Sequence, residues 1–297
     1  MNKNRSTPEE NLKAILASSS YTLAEEDTAL LKAKETRPTR MQLELLKPEL
    51  VFQEQGIRTT IVLFGGTRIV CEEDAEKKVA DAETELAGAP DDTGLQQKVS
   101  IAKRILAKAH YYEVAREFAR IVSERTQGQG INELVIVTGG GPGIMEAGNR
   151  GAWEVGAKSI GLNVTIPREQ VPNSYITPEL CFQFHYFALR KMHFLMRARA
   201  MVACPGGYGT LDELFETLTL IQTGKMRRIP IILLGREFWS RVVDFDFLVA
   251  EGTINPEDLE LVTYAETADE IADQITEFYG HNLENLLDLP PSPTDRI

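Results

Sequence analysis

From residue 59 onward the chain alternates two textures. Short runs of apolar and β-branched residues end in turn residues, and each is followed by a segment whose apolar positions recur at helical spacing. The runs are TTIVLF (59–64), ELVIVT (133–138), KSIGLNV (158–164), LCFQFH (180–185), AMVAC (200–204), IPIILL (229–234) and LELVTY (259–264). Continuous apolar strands alternating with amphipathic helices indicate a parallel sheet covered on both faces. The pattern predicts an α/β fold, a doubly wound Rossmann-like parallel sheet of about seven strands over roughly residues 58–282. Ligands of such sheets bind at the carboxyl ends of the strands, near the point where the strand order reverses.

Residues 1–57 read as an N-terminal helical extension. Thr7-Pro8-Glu9-Glu10 fits a capping box with proline at the first helical position, after which Leu12, Ile15 and Leu16 share one face. A further helix is expected around Met41–Phe52. Behind the first strand, residues 72–125 hold two helices separated by AGAPDDTG (87–94), where a crossover needs only one, so about 72–105 reads as an insertion. The Pro-rich, polar tail over 283–297 is expected to be disordered. No internal repeat is present.

Three strand ends are rich in glycine: LFGGTR (63–68), VTGGGPGIMEAGNRGA (137–152) and ACPGGYGTLDE (203–213). Glycine lets a ligand approach the backbone without meeting a Cβ, and the helix that follows offers unpaired N–H groups with partial positive charge. Together these form an anion site, most often for phosphate. GxxxxGK[ST] is absent and GxGxxG fails in both later loops, so neither a P-loop nor a dinucleotide fingerprint is supported. One such loop alone reads equally well as a tight turn; three on one sheet edge favour a phosphate-bearing ligand.

Glu213 admits two readings. Thr210-Leu211-Asp212-Glu213 has the form of a capping box, with Leu211, Leu214, Phe215 and Leu218 as the buried stripe and Asp212, Glu213 and Glu216 facing the cleft mouth or solvent. Against this stands the preceding segment, Tyr186–Ala198. There Arg190 and Arg197 lie seven residues apart and so point the same way, and Arg190-Lys191 offers cations for a phosphate. A solvated basic face is the commoner role for such a run.

Composition narrows the choices. The 297 residues carry 32 Lys and Arg against 44 Asp and Glu, a formal net charge of -12, which argues against nonspecific binding to nucleic acid or to an anionic membrane. Cys71, Cys181 and Cys204 are widely spaced, and His110, His185, His193 and His281 show no ligand spacing, so neither a disulfide framework nor a metal site is expected. With no apolar leader segment and no run long enough to span a bilayer, a soluble cytoplasmic protein is expected.

PGGYGTLDE (205–213) resembles the PGGxGTxxE signature of the Lonely Guy family of cytokinin-activating phosphoribohydrolases, long labelled lysine decarboxylases. Arg190-Lys191 stands where that family has its Arg-Lys pair, one helix earlier. TGGGPGIMEAGNRGA (138–152) is similar to its second motif, GGGxxGxM, with Thr138 in place of the first glycine, a form typical of the longer bacterial branch. The resemblance covers roughly residues 59–280, leaving the N-terminal helices and the 72–105 insertion outside the compact family core.

The resemblance implies hydrolysis of the N-glycosidic bond of a nucleoside 5'-monophosphate, either AMP or a cytokinin ribotide, to free base and ribose 5-phosphate. It implies Arg190 and Glu213 as the catalytic pair. Gly206, Gly207, Gly209 and Thr210 would hold the phosphate, Lys191 would assist at the substrate, and Gly139 and Gly140 would line the other side. Gly66, Thr67, Met145, Tyr208 and Asp212 are the further expected substrate contacts. It also implies a homodimer or higher homo-oligomer, and no cofactor is expected. The alternative is a nucleotide-binding sensor or carrier without chemistry, which would not require both Arg190 and Glu213. The inherited label, lysine decarboxylase, would require a PLP-binding lysine in a supporting context.

Overall fold

The apolar runs form strands β1 (Thr60–Phe64), β2 (Val135–Thr138), β3 (Ser159–Val164), β4 (Cys181–Phe184), β5 (Ala198–Ala203), β6 (Ile231–Leu234) and β7 (Val262–Ala265). In this computed structural model, which describes residues 7–128, 131–166 and 171–280, they pair in parallel in the order β4-β3-β2-β1-β5-β6-β7. Every residue of β1, β2, β5 and β6 is buried, which is why those runs lack alternation. The two edge strands do alternate: Gln183 of β4 and Thr263 of β7 are exposed between covered neighbours.

Helices α1 (Pro8–Leu16), α2 (Thr28–Lys32) and α3 (Arg37–Glu54) precede the sheet. The long segment after β1 contains α4 (Glu72–Gly88), α5 (Thr93–Leu106) and α6 (His110–Thr126). The remaining helices are α7 (Ile144–Glu154), α8 (Phe187–Met196), α9 (Tyr208–Gln222), α10 (Arg236–Val242), α11 (Phe245–Ala250) and α12 (Ala268–Phe278). The predicted tail, 283–297, lies outside the described residues.

The chain divides into two compact units, Met1–Lys47 and Pro48–Ile297. In the first, the Thr7–Glu10 capping box is formed, with Glu10 N–H donating to Thr7 Oγ1 at 3.2 Å and Thr7 N–H to Glu10 Oε2 at 2.8 Å. Leu12, Ile15 and Leu16 are exposed. The second unit begins within α3, whose Pro48 and Phe52 are buried.

The core of the second unit places α6 and α7 against β1 and β2. Ala115, Phe118, Ala119 and Val122 pack with Ile61, Leu63 and Ile136. The small residues in the EAGNRGA segment permit this closeness: a Cβ at Gly148 would sit 2.3 Å from the Leu63 side chain, and one at Gly151 2.0 Å from the Arg116 carbonyl. From β1 the chain steps outward to β4, then crosses back to lay β5 on the other side of β1. The order therefore reverses between β1 and β5, and the crevice there is where a ligand site is expected.

Glu49, on the second half of α3, ties down the end of α8. It accepts from Arg197 Nη1 and Nη2 at 2.5 and 2.7 Å and lies 3.4 Å from His193 Nδ1. Burial pushes the Glu49 carboxyl up, but hydrogen bonds from His193 and Arg197 outweigh it and hold the pKa at about 2. A depressed carboxyl pKa contributes stability that is present above the unfolded value and lost as pH falls toward the folded one. Glu49→Gln is therefore expected to cost about 2 kcal/mol at neutral pH, between an exposed and a fully buried pair. Urea unfolding should show that gap closing between the ordinary glutamate pKa of about 4.5 and pH of about 2.

Candidate active site

The three glycine-rich strand ends meet at the crevice. Gly66 N–H donates to Pro205 O at 2.9 Å, and Ile144 N–H donates to Gly66 O at 3.3 Å, so the loops after β1, β2 and β5 are stitched together. Thr138 closes the β2 loop: its Oγ1 accepts from Gly140 N–H at 3.0 Å and donates to Asn149 Oδ1 at 2.7 Å. Gly140 and Gly143 both have φ of +73°, a conformation that side chains other than glycine's rarely adopt. Trp239 Nε1–H bridges Ala203 O and Leu234 O, each at 3.1 Å, fixing the end of β5 relative to β6.

Helix α9 begins at Tyr208, three residues earlier than a capping box at Thr210 requires. Gly207 is the N-cap and no side chain caps it. Thr210 and Glu213 instead fall on the buried stripe with Leu214, Thr217 and Ile221, while Phe215 is exposed. The capping reading of Glu213 and the stripe through Phe215 are thus corrected; the helix phase is set by its earlier start. Gly206 is required by packing, since a Cβ there would lie 2.2 Å from Thr210 Oγ1, but a Cβ at Gly207 or Gly209 would meet nothing within 4 Å. The protein itself therefore leaves open space before an uncapped helix N-terminus, where first-turn N–H groups lack intrahelical acceptors and favour an anion.

Glu213 is 4% exposed. Arg190 Nη2 stands 3.6 Å from its Oε1 and Lys191 Nζ 3.8 Å from its Oε2, too far for strong hydrogen bonds. Lys191 is held more closely by Asp212 at 2.9 Å and Glu216 at 2.7 Å. Burial consequently dominates at Glu213 and pushes its pKa up to about 7 against the pull of Lys191 and Arg190. Burial lowers the pKa of Arg190, partly offset by Glu213 and Asp212. It also pulls on Lys191, but hydrogen bonds to Glu216 and Asp212 win and leave that ammonium above its ordinary range. The Arg190 guanidinium lies 4.8 Å from the Phe187 ring centroid and 5.5 Å from that of Phe194, and its Nε has no hydrogen-bond partner.

A cavity of about 330 Å³ opens beside these groups, lined among others by Thr67, Gly139, Met145, Asn163, Gln183 and Arg190. Met145 Sδ stands over Gly139, 2.9 Å from where a Cβ would be. Gly66, Gly140 and Gly206 lie in the surrounding loops, Thr210 lies in the first turn of α9, and Asp212 is the exposed partner of Lys191. One further expectation differs from the geometry. Arg197 does not join Arg190, because α8 ends at Met196 and Arg197 turns to Glu49. The Tyr208 side chain, at the first position of α9, is 92% exposed. Asn163 and Gln183 were not expected; their signal is a polar residue near the end of each apolar run, in GLNV and CFQF.

Among the described residues no group of three or more His, Cys, Asp or Glu could hold a metal ion, and no helix is long and apolar enough to cross a membrane. The family model described as "Possible lysine decarboxylase" matches residues 145–275. The cytokinin riboside 5'-monophosphate phosphoribohydrolase LOG3 of Arabidopsis thaliana is 33% identical over 158 residues, covering 50% of this chain and 71% of that protein. The enzyme of the same name, LOG, from Oryza sativa subsp. japonica is 31% identical, covering 58% and 68%. Among solved structures, the Moco carrier protein from Chlamydomonas reinhardtii is similar at 14% identity and a TM-score of 0.42, over 78% of this chain and 99% of that one.

Gly209 tests the open space at the α9 N-terminus. Gly209→Ala meets no atom of the protein and places a better helix former in the first turn, so stability should be unchanged or rise by up to about 1 kcal/mol. Inorganic phosphate should protect the wild type against thermal unfolding and protect the variant less. Equal protection of the two would show that the space is not where the anion binds.

Proposed function

The chain belongs to the Lonely Guy family of cytokinin riboside 5'-monophosphate phosphoribohydrolases, and we propose that it hydrolyses the N-glycosidic bond of a nucleoside 5'-monophosphate to free base and ribose 5-phosphate. The observation that carries this reading is the buried Glu213 carboxyl, which faces Arg190 across 3.6 Å, five residues along α9 from its open N-terminus. A site for phosphate alone needs no buried carboxylate, whose charge would oppose the ligand's.

In this reading the 5'-phosphate rests on the amides at the start of α9, between the Gly66-Thr67 and Gly206-Gly207 loops. That anchor is remote from the bond that breaks and aligns the sugar over Glu213. Departure of the base builds oxocarbenium-like charge at C1', which the carboxylate stabilises while accepting a hydrogen bond from the attacking water. The C1'–N bond breaks, a C1'–O bond forms, and the water's proton ends on the leaving base. Arg190 lines the cavity on the Gly139 side, so we place it against the base, where it polarises the leaving group. Lys191, held by Asp212 and Glu216, keeps positive potential beside Glu213 and favours the ionised carboxylate.

The reaction needs water and no cofactor. Residues 58–282 form the catalytic domain in this reading, and the family resemblance supports a homodimer. Decarboxylation of lysine fits poorly. A PLP-binding lysine must shed its proton to form a Schiff base, whereas the lysine of this site is held protonated by two carboxylates.

Glu213→Gln should lower ribose 5-phosphate release by about 10³-fold or more while AMP binding, measured by calorimetry, changes little. Retained turnover would sink the assignment. In the wild type kcat/KM should rise from the acid side with a midpoint near pH 7, because the group whose pKa burial sets at about 7 works as its carboxylate. A profile flat from about pH 5.5 to 8.5 would remove Glu213 from that role.

A further inference from the structure

The cavity beside Arg190 ends on two carboxamides that the strand register brings together. Asn163 of β3 pairs with Gln183 of β4, so in neighbouring parallel strands both side chains leave the same face of the sheet. Their surroundings differ. Asn163 is 8% exposed, and both of its hydrogen bonds are made by Nδ2, to Phe182 O at 3.3 Å and Cys181 Sγ at 3.4 Å. The rotamer cannot be reversed at no cost, because Oδ1 would then face the Phe182 carbonyl, acceptor against acceptor. Gly140 packs against the carboxamide as a whole, since a Cβ there would lie 2.5 Å from Oδ1 and from Nδ2 alike. Asn163 lines the cavity, and with Nδ2 engaged its Oδ1 is the polar atom left as a fixed acceptor for a ligand. Gln183 is exposed on the edge strand, and its amide is free to turn and present either a donor or an acceptor.

A fixed acceptor beside an adaptable amide reads one feature of a base, an exocyclic N–H next to a ring nitrogen. Adenine presents that N–H, and so does an N6-monosubstituted adenine, which keeps one hydrogen. A 6-oxopurine sets a carbonyl oxygen against Oδ1, and Gln183 can turn to suit its ring N–H while Asn163 cannot. An N6,N6-disubstituted adenine has no hydrogen to donate. We propose that Asn163 Oδ1 is the specificity determinant of this site, restricting it to nucleoside monophosphates whose purine carries an N–H at position 6 and rejecting 6-oxopurines. This rests on the phosphoribohydrolase reading for the reaction but not for the binding preference. A site built to accept a hydrogen bond rejects an analogue that cannot donate it far more strongly than it rejects one of slightly different size.

The test compares AMP, N6-methyl-AMP, N6,N6-dimethyl-AMP and IMP, measuring initial rates of ribose 5-phosphate formation by the wild type and by Asn163→Ala. In parallel, AMP and IMP are titrated calorimetrically into Glu213→Gln protein with and without Asn163→Ala. AMP and N6-methyl-AMP should react within about tenfold of one another, and IMP and the dimethyl compound about 100-fold or more slower. Asn163→Ala should bring AMP and IMP within about tenfold, by loss on AMP. If IMP or the dimethyl compound reacts as well as AMP, or if a folded Asn163→Ala protein keeps the discrimination, the proposal is overturned. Should that variant fail to fold, the wild-type series decides alone. If no nucleotide is hydrolysed, the reaction assignment falls, and the titrations still decide this one: AMP bound more tightly than IMP supports it, equal binding overturns it.

Discussion

The site depends on keeping one carboxyl group out of water without giving it a close partner. Glu213 is buried on the inner stripe of α9, and its two cations stand at 3.6 and 3.8 Å while Lys191 is drawn to Asp212 and Glu216 instead. A tight ion pair would have lowered its pKa into the usual carboxylate range or below. The looser arrangement leaves it near neutrality, where proton transfer to and from water is most readily balanced. Much of the neighbouring structure serves that separation. The early start of α9 turns Glu213 inward, and Glu49 anchors the far end of the helix that carries Arg190.

The sheet was legible because its strands are covered on both faces and so read as continuous apolar runs. Their ends were legible because glycine collects where loops approach one another. Helix phase was less so. Thr210 to Glu213 has the spacing of a capping box, and nothing in those four residues shows that the backbone enters the helix at Tyr208, because Gly207 needs no side chain to begin it. Arg197 misled for a related reason: seven-residue spacing implies a shared face only while the helix lasts, and α8 ends one residue before it.

The cavity walls were hidden for a third reason. Asn163 and Gln183 are twenty residues apart in the chain and carry no motif; only the register of β3 against β4 makes them neighbours. Gly207 and Gly209 show the opposite case. The motif marks them plainly, yet packing gives no cause for glycine at either position, so the reason for their identity lies with what occupies the space in front of them.

The strand order carries one more consequence. The open space before α9 lies between β1 and β5 at the centre of the sheet, and the cavity runs outward to β4, which is the last strand on that side. The ends of the site thus differ in how much surrounding structure they constrain. A substitution near β1 or β5 disturbs strands hemmed in by neighbours, whereas the wall on β4 borders no further strand and can change with little effect on the rest. A lineage with this fold is free to alter which base it accepts while its handling of sugar and phosphate stays as it is, and variety among its members should concentrate along that outer edge.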